Sequence, residues 1–153
     1  MSEVYEANTI ARVLLTVAAL GFSALPMYAD FNKTHATNPL WTGHARFHVV
    51  WQVLSYAGVG TLSLYLIWTN GPAYLSQLRL ACILPAVVYG AFFTTYFSMR
   101  LFGGRAHDDN GYLPIPVRLF GARLSLDLNF TVFGVLVLLL IVAIASIRVP
   151  VAG

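Results

Sequence analysis

The chain has 153 residues, of which 58% are hydrophobic and 10% charged, with a mean hydropathy of +0.72 and a net charge of +3. Soluble domains carry about a quarter of charged residues, so a water-soluble globule is excluded and lipid is the expected solvent. The length allows one domain, residues 1–153. No basic run or stacking motif accompanies the small net charge, which excludes nucleic acid as a partner. The single cysteine, Cys82, lies in an apolar run and cannot form an intrachain disulfide.

Four apolar runs of membrane-crossing length follow in chain order, at about 10–29, 44–69, 78–101 and 126–147. The first resembles a secretory signal in position only. Its leading segment holds Glu3 and Glu6 with Arg12, and no small-residue cleavage site closes it. Pro26 is expected to kink its end, and Pro85 to kink the third run early. Between the first and second runs lies the polar stretch "DFNKTHATNPLWTGHARFHVVWQV", which starts at Asp30 and opens the second run. Asn70, Gly71 and Pro72 make a short turn before the third run. The third and fourth are joined by "GGRAHDDNGYLPIPVRLFG", rich in turn residues, with a short interfacial helix expected near 117–123. The fold predicted is all-α, a four-transmembrane-helix bundle with two polar loops on one membrane face.

Four spans place both termini with the short turn, and the two polar loops together on the opposite side. The loop side takes Lys33, Arg46, Arg100, Arg105, Arg118 and Arg123; the terminal side takes Arg12, Arg79 and Arg148. Positive residues favour the cytoplasm. The expected location is therefore a bacterial inner membrane with a cytoplasmic loop face and external termini. All four histidines (His35, His44, His48 and His107) fall on the loop side, with Asp30, Asp108, Asp109 and Asp127.

His44 and His48 are one helical turn apart, and Gln52, Ser55 and Tyr56 continue their stripe. In the third span Tyr89, Tyr96 and Arg100 share a face. Polar groups inside a span tend to face the bundle interior or a cavity. A pocket is therefore expected between the second, third and fourth spans, lined by Gln52, Ser55, Tyr56 and Tyr89 and open toward the loops. Two imidazoles at this spacing can bind one metal. His35 and Asp30 would complete a shell suited to copper, iron or zinc, with Asp127 as a further ligand or as an orienting partner.

Each group also has a plainer role. Interfacial histidines hydrogen-bond phosphates or loop carbonyls, and His107 beside Asp108 and Asp109 is read as a solvated loop residue. Ser125 or Asp127 would cap the fourth span. Trp41, Trp51 and Trp68 suit an interfacial aromatic belt. No phosphate loop, serine elbow or Cys–His pair is present, and His48 has no facing partner for a bis-histidine haem.

The block Asp30, Asn32, Thr34-His35, Asn38-Pro39, Trp41, His44-Ala45-Arg46-Phe47-His48, Trp51-Gln52 resembles a family of small four-span integral membrane proteins with no assigned activity. The likeness extends in outline to the whole chain, including "GYLPIP", and implies a fold but no mechanism. Sterol-isomerase-like and sigma-2-receptor-like proteins are looser comparisons, similar in using small bundles with a polar-lined lipid pocket. Their acidic residues within the spans have no counterpart here. The copper-bearing subunit of membrane methane and ammonia monooxygenases also uses Asp and His, at a spacing different from the D-x4-H-x8-H-x3-H seen here.

Three functions follow as expectations. The first is a metal protein acting on a lipophilic substrate, with Asp30, His35, His44, His48 and Asp127 at the metal, His48 in the chemistry, and Arg100 and Tyr96 lining the substrate path. The second is a metal-free lipid-pocket binder or isomerase with His48 as proton carrier. The third is a subunit or assembly factor of a larger membrane complex, or a homo-oligomer, whose polar loops dock on a partner.

Overall fold

The computed structural model describes residues 2–149. A short helix α1 (Ser2–Ala7) leads into α2 (Thr9–Asp30), followed by α3 (Gly43–Trp68) and α4 (Tyr74–Ser98). A 3-10 turn over Met99–Leu101 extends α4, strands β1 (Ile115–Leu119) and β2 (Ala122–Leu126) form a hairpin, and α5 (Leu128–Ala145) closes the bundle. Four of these helices are long and apolar enough to cross a membrane. The chain is an all-α membrane bundle with one small antiparallel ribbon.

α2 is the hub and packs against α3, α4 and α5. Its buried face is built from Ala11, Leu15, Ala18, Ala19, Phe22 and Pro26, which recur at helical spacing. Lipid tails are as apolar as the helices, so association in a membrane rests on close packing, and small residues let backbones approach. Ser23 folds its hydroxyl back onto the Ala19 carbonyl at 2.7 Å, and a Cβ on Gly60 of α3 would overlap Ser23 Cβ and Oγ. Against α4, the buried Tyr89 hydroxyl donates to the Ala18 carbonyl at 2.6 Å. Edge-to-face contacts at 6.1 Å to Phe22 and 5.2 Å to Phe133 then tie α4 to α2 and α5. Both Pro26 and Pro85 lie inside helices that continue through them.

The terminal end is held by a buried cation. Arg12 donates through Nε to the Ile67 carbonyl at 3.2 Å and through Nη2 to the Tyr5 hydroxyl. Its guanidinium lies over the rings of Tyr5 and Trp68, at 3.5 and 4.1 Å from their centroids. Asn8 clamps the chain beyond α5, donating to the Arg148 carbonyl at 3.0 Å and accepting from its N–H at 2.7 Å.

The helix expected near 117–123 is instead the β1–β2 hairpin. Pro114 and Pro116 bias their preceding residues toward extended backbone, and Ile115 and Val117 are β-branched. The reversal is made by Phe120 (φ 49) and Gly121 (φ 81), both positive as a two-residue type I′ turn requires. The fourth span begins as a helix at Leu128, because Asp127 serves as its N-cap and accepts from the Phe130 N–H at 2.9 Å.

Gly60→Ala should lower the stability of the purified protein by about 1–3 kcal/mol, the usual cost of overpacking. Gly58→Ala, whose added Cβ meets nothing within 4 Å, should leave it unchanged or raised. Thermal or denaturant unfolding in one detergent compares the pair, and equal losses would remove the α2–α3 contact from this role.

Candidate functional site

At the loop end the helices part around a cavity of about 520 Å³. This lies within the range of about 300–1,000 Å³ usual for small-molecule sites. Its inner wall is apolar, with Leu25 and Pro26 of α2, Ala91 and Phe92 of α4, and Val132 and Phe133 of α5. Gln52 and Tyr56, one turn apart on α3, add polar groups at the side. The mouth carries Asp30, His35, His107, Asp108, Tyr112 and Asn129. A second, polar cavity of about 300 Å³ adjoins it and shares His35, His107 and Asp108, adding Trp41, Arg105 and Asp109.

Local sequence explains the mouth's order. Asn32 donates to the Ala29 carbonyl at 2.8 Å and accepts from the Thr34 N–H at 2.8 Å, which turns the chain back at the end of α2. Asn38, almost fully buried, repeats the device: it donates to the Thr34 carbonyl at 2.9 Å and accepts from the Leu40 N–H at 3.0 Å. These turns set His35 Nδ1 3.6 Å from Asp30 Oδ1 and 2.7 Å from Thr34 Oγ1. Thr42 caps α3 by accepting from the Ala45 N–H at 3.2 Å.

The second loop locks onto the first through one long-range hydrogen bond. The Trp41 indole N–H donates to Asp108 Oδ2 at 3.1 Å, while the Trp41 ring meets His35 edge-to-face at 5.2 Å. Asn129 on α5 donates to the Ala106 carbonyl at 3.0 Å. His107 is thereby set against Asp127, with Nδ1 3.5 Å from Oδ2, a close approach without an aligned hydrogen bond. The Asn110 backbone N–H holds the Asp108 carboxyl below its ordinary value, and the Trp41 indole adds to the effect.

Of the residues nominated from sequence, Asp30, His35, Gln52 and Tyr56 meet at this cavity. Tyr89 lies beneath it in the core. Ser55 is exposed on α3. Tyr96 packs on Phe92 and Phe130, with ring centroids 6.1 and 4.8 Å apart, and Arg100 is exposed in the 3-10 turn; neither belongs to the lining. His44 and His48 stand on an exposed face of α3, their Nε2 atoms 3.0 Å apart.

The five expected metal ligands do not gather at one point. Asp30 meets His35, His44 meets His48, and Asp127 meets His107. Among the described residues no group of three or more His, Cys, Asp or Glu is placed to hold a metal ion. His107 is not a free loop residue, since it lines both cavities and pairs with an acid. Trp41 serves the loop–loop contact and Trp68 the Arg12 site, leaving Trp51 exposed along the bundle. Comparison of the chain with protein-family models, curated proteins and solved structures finds no match.

The apolar wall can accommodate an apolar body, and Asp30, His35, His107 and Asp108 at the mouth supply hydrogen-bond donors and acceptors. His107, Asp108, Phe92, Thr95 and Phe133 are site residues that the sequence reading missed. No local signal marks them, because each reaches the cavity only through the packing of α4, α5 and the second loop.

Because its folded-state pKa is depressed, the Asp108 contact contributes above the ordinary aspartate pKa and is lost as pH falls through the lower folded value. The Trp41 indole N–H resonance should therefore hold its position through the ordinary aspartate range of about pH 4 and move only at lower pH. In Asp108→Ala it should be displaced at every pH. Movement at or above the ordinary range would contradict the contact.

Proposed function

We propose that the chain takes a lipophilic molecule with a polar end into the bundle, the hydrocarbon body in the apolar cavity and the polar end between Asp30–His35 and His107–Asp127. The single observation that carries this reading is the cavity of about 520 Å³ with its apolar interior and ionisable mouth. The paired carboxylates and imidazoles supply the groups that acid–base chemistry on the guest's polar end requires, as an isomerase would use. On this reading the proton carriers are His35 and His107, which line the cavity, while His48 lies on an exposed face of α3.

The test is the lipid that copurifies. Protein extracted in mild detergent should retain a defined lipophilic species, identified by mass spectrometry of the organic extract. Ala91→Trp, which fills the cavity from α4, should reduce its occupancy by about tenfold or more, equivalent to roughly 1.4 kcal/mol or more of binding. His35→Ala with His107→Ala should keep the hydrocarbon class but loosen selection of the polar end. Retention of the same lipid by Ala91→Trp would place it outside the cavity and overturn the reading.

A second reading has its own observation, the 3.0 Å separation of the His44 and His48 Nε2 atoms on an exposed helical face. Two imidazoles at this separation fit neighbouring positions around copper, iron or zinc, with water or a further group completing the shell. Elemental analysis of untagged protein should then find near-stoichiometric metal that His44→Ala with His48→Ala loses. Equal metal content in both samples would remove this reading.

A further inference from the structure

The hairpin at 115–126 divides cleanly into two faces. Its register sets Ile115 opposite Leu126, Val117 opposite Leu124 and Leu119 opposite Ala122. Side chains alternate along a strand and directly opposed residues share a face, so these six apolar side chains form one face of the ribbon. The other face carries Pro116 opposite Ser125 and Arg118 opposite Arg123.

Neither face is covered by the protein. The extensive packing of the two strands is on each other, and Leu119 and Leu124 remain 53% and 45% exposed. Phe120, at the tip, is 98% exposed. An isolated two-stranded hairpin is marginal in water, and an exposed apolar patch marks an interaction surface. The opposite face has a complementary deficit. Two guanidinium groups directly across the strands repel, and among the described residues the side-chain ion pairs are His35–Asp30 and His107–Asp127. An anion between the arginines would relieve the repulsion, and guanidinium matches phosphate oxygens in a bidentate manner.

Chain connectivity fixes the height of the ribbon. β2 ends at Leu126, and the next residue, Asp127, caps the membrane-crossing helix α5. The hairpin is thus tied to the start of a membrane-crossing helix, and such a helix begins near the boundary between acyl chains and head groups. That boundary supplies an apolar medium on one side and phosphates on the other, which is the complement of the two faces.

We propose that the 115–126 hairpin docks on the surrounding leaflet, its Ile115, Leu119, Leu124 and Leu126 face in the acyl chains and its Arg118–Arg123 pair on the phosphate of an anionic phospholipid. Phe120, apolar and exposed at the tip, inserts with that apolar face. The partner is the lipid surface itself, which distinguishes this site from the cavity within the bundle.

The test uses the full chain in vesicles of phosphatidylcholine with and without phosphatidylglycerol. Single cysteines replace Leu119, Leu124 or Ser125 in a Cys82→Ala background, and each carries a nitroxide. Oxygen should relax the labels at 119 and 124 strongly, and a water-soluble nickel chelate should relax the label at 125. Water access at all three sites would overturn the proposal. So would shielding of all three from both agents, because the hairpin would then be covered by a second copy or another protein.

The phosphate half is read by native mass spectrometry of retained lipid. Arg118→Gln with Arg123→Gln should reduce the preference for phosphatidylglycerol over phosphatidylcholine by about tenfold or more, from the attraction of two basic residues to an anionic surface. Arg118→Lys with Arg123→Lys should keep most of it, and added inorganic phosphate should not displace the lipid. An unchanged preference in the Gln pair, with the melting temperature also unchanged, would overturn the arginine assignment.

Discussion

The close approach of α2 to its neighbours is the contact on which the rest of the structure depends. In lipid the hydrophobic effect does not draw helices together, so packing density must. Ala18, Ala19 and Ser23 give α2 a narrow profile where α3 and α4 lie against it, and Gly60 and the Tyr89–Ala18 hydrogen bond complete the fit. Toward the loops Leu25, Pro26, Phe92 and Phe133 form the apolar wall of the cavity. The bundle is thus closed where α2 lies against α3 and α4, and the cavity opens toward the loops beyond that seam.

The two ends of the bundle use polar chemistry differently. At the terminal end Arg12 is enclosed by the Tyr5 and Trp68 rings and a backbone carbonyl, and Asn8 ties the chain beyond α5 to the start of α2. A cation so enclosed acts as a staple. At the loop end the ionisable groups are partly buried and meet in pairs, with Asp30, His35 and His107 lining a cavity. The same cost of placing charge near hydrocarbon is met by packing at one end and by a polar mouth at the other.

The candidate site was partly legible in the chain. Asp30 ends α2 and His35 follows in the turn just after it, while Gln52 and Tyr56 are one helical turn apart. Short spacing therefore carried them to one place. His44 and His48 show the limit of the same argument. Their mutual contact follows from helical spacing, but the direction they face depends on how α3 is rotated against α2, and that rotation turns them outward. The partnership of His107 with Asp127 and of Trp41 with Asp108 spans 20 and 67 positions along the chain, beyond any local pattern. The hairpin was hidden for another reason. Phe120 at positive φ is an unusual turn residue, so the two-residue reversal lacks the Asn-Gly or Asp-Gly signature that would announce it.

Hydropathy is a local and additive property, and the chain by itself determined four membrane-crossing helices, their order, and the concentration of histidines and acids at one end. Which imidazole meets which carboxylate is neither local nor additive. It depends on helix rotation, on the path of two loops and on a cap at Asp127, each set by contacts between distant segments. Tertiary structure alone decided that His107 meets Asp127, that His35 and His107 line one cavity while His44 and His48 face outward, and that the second loop carries an amphipathic ribbon.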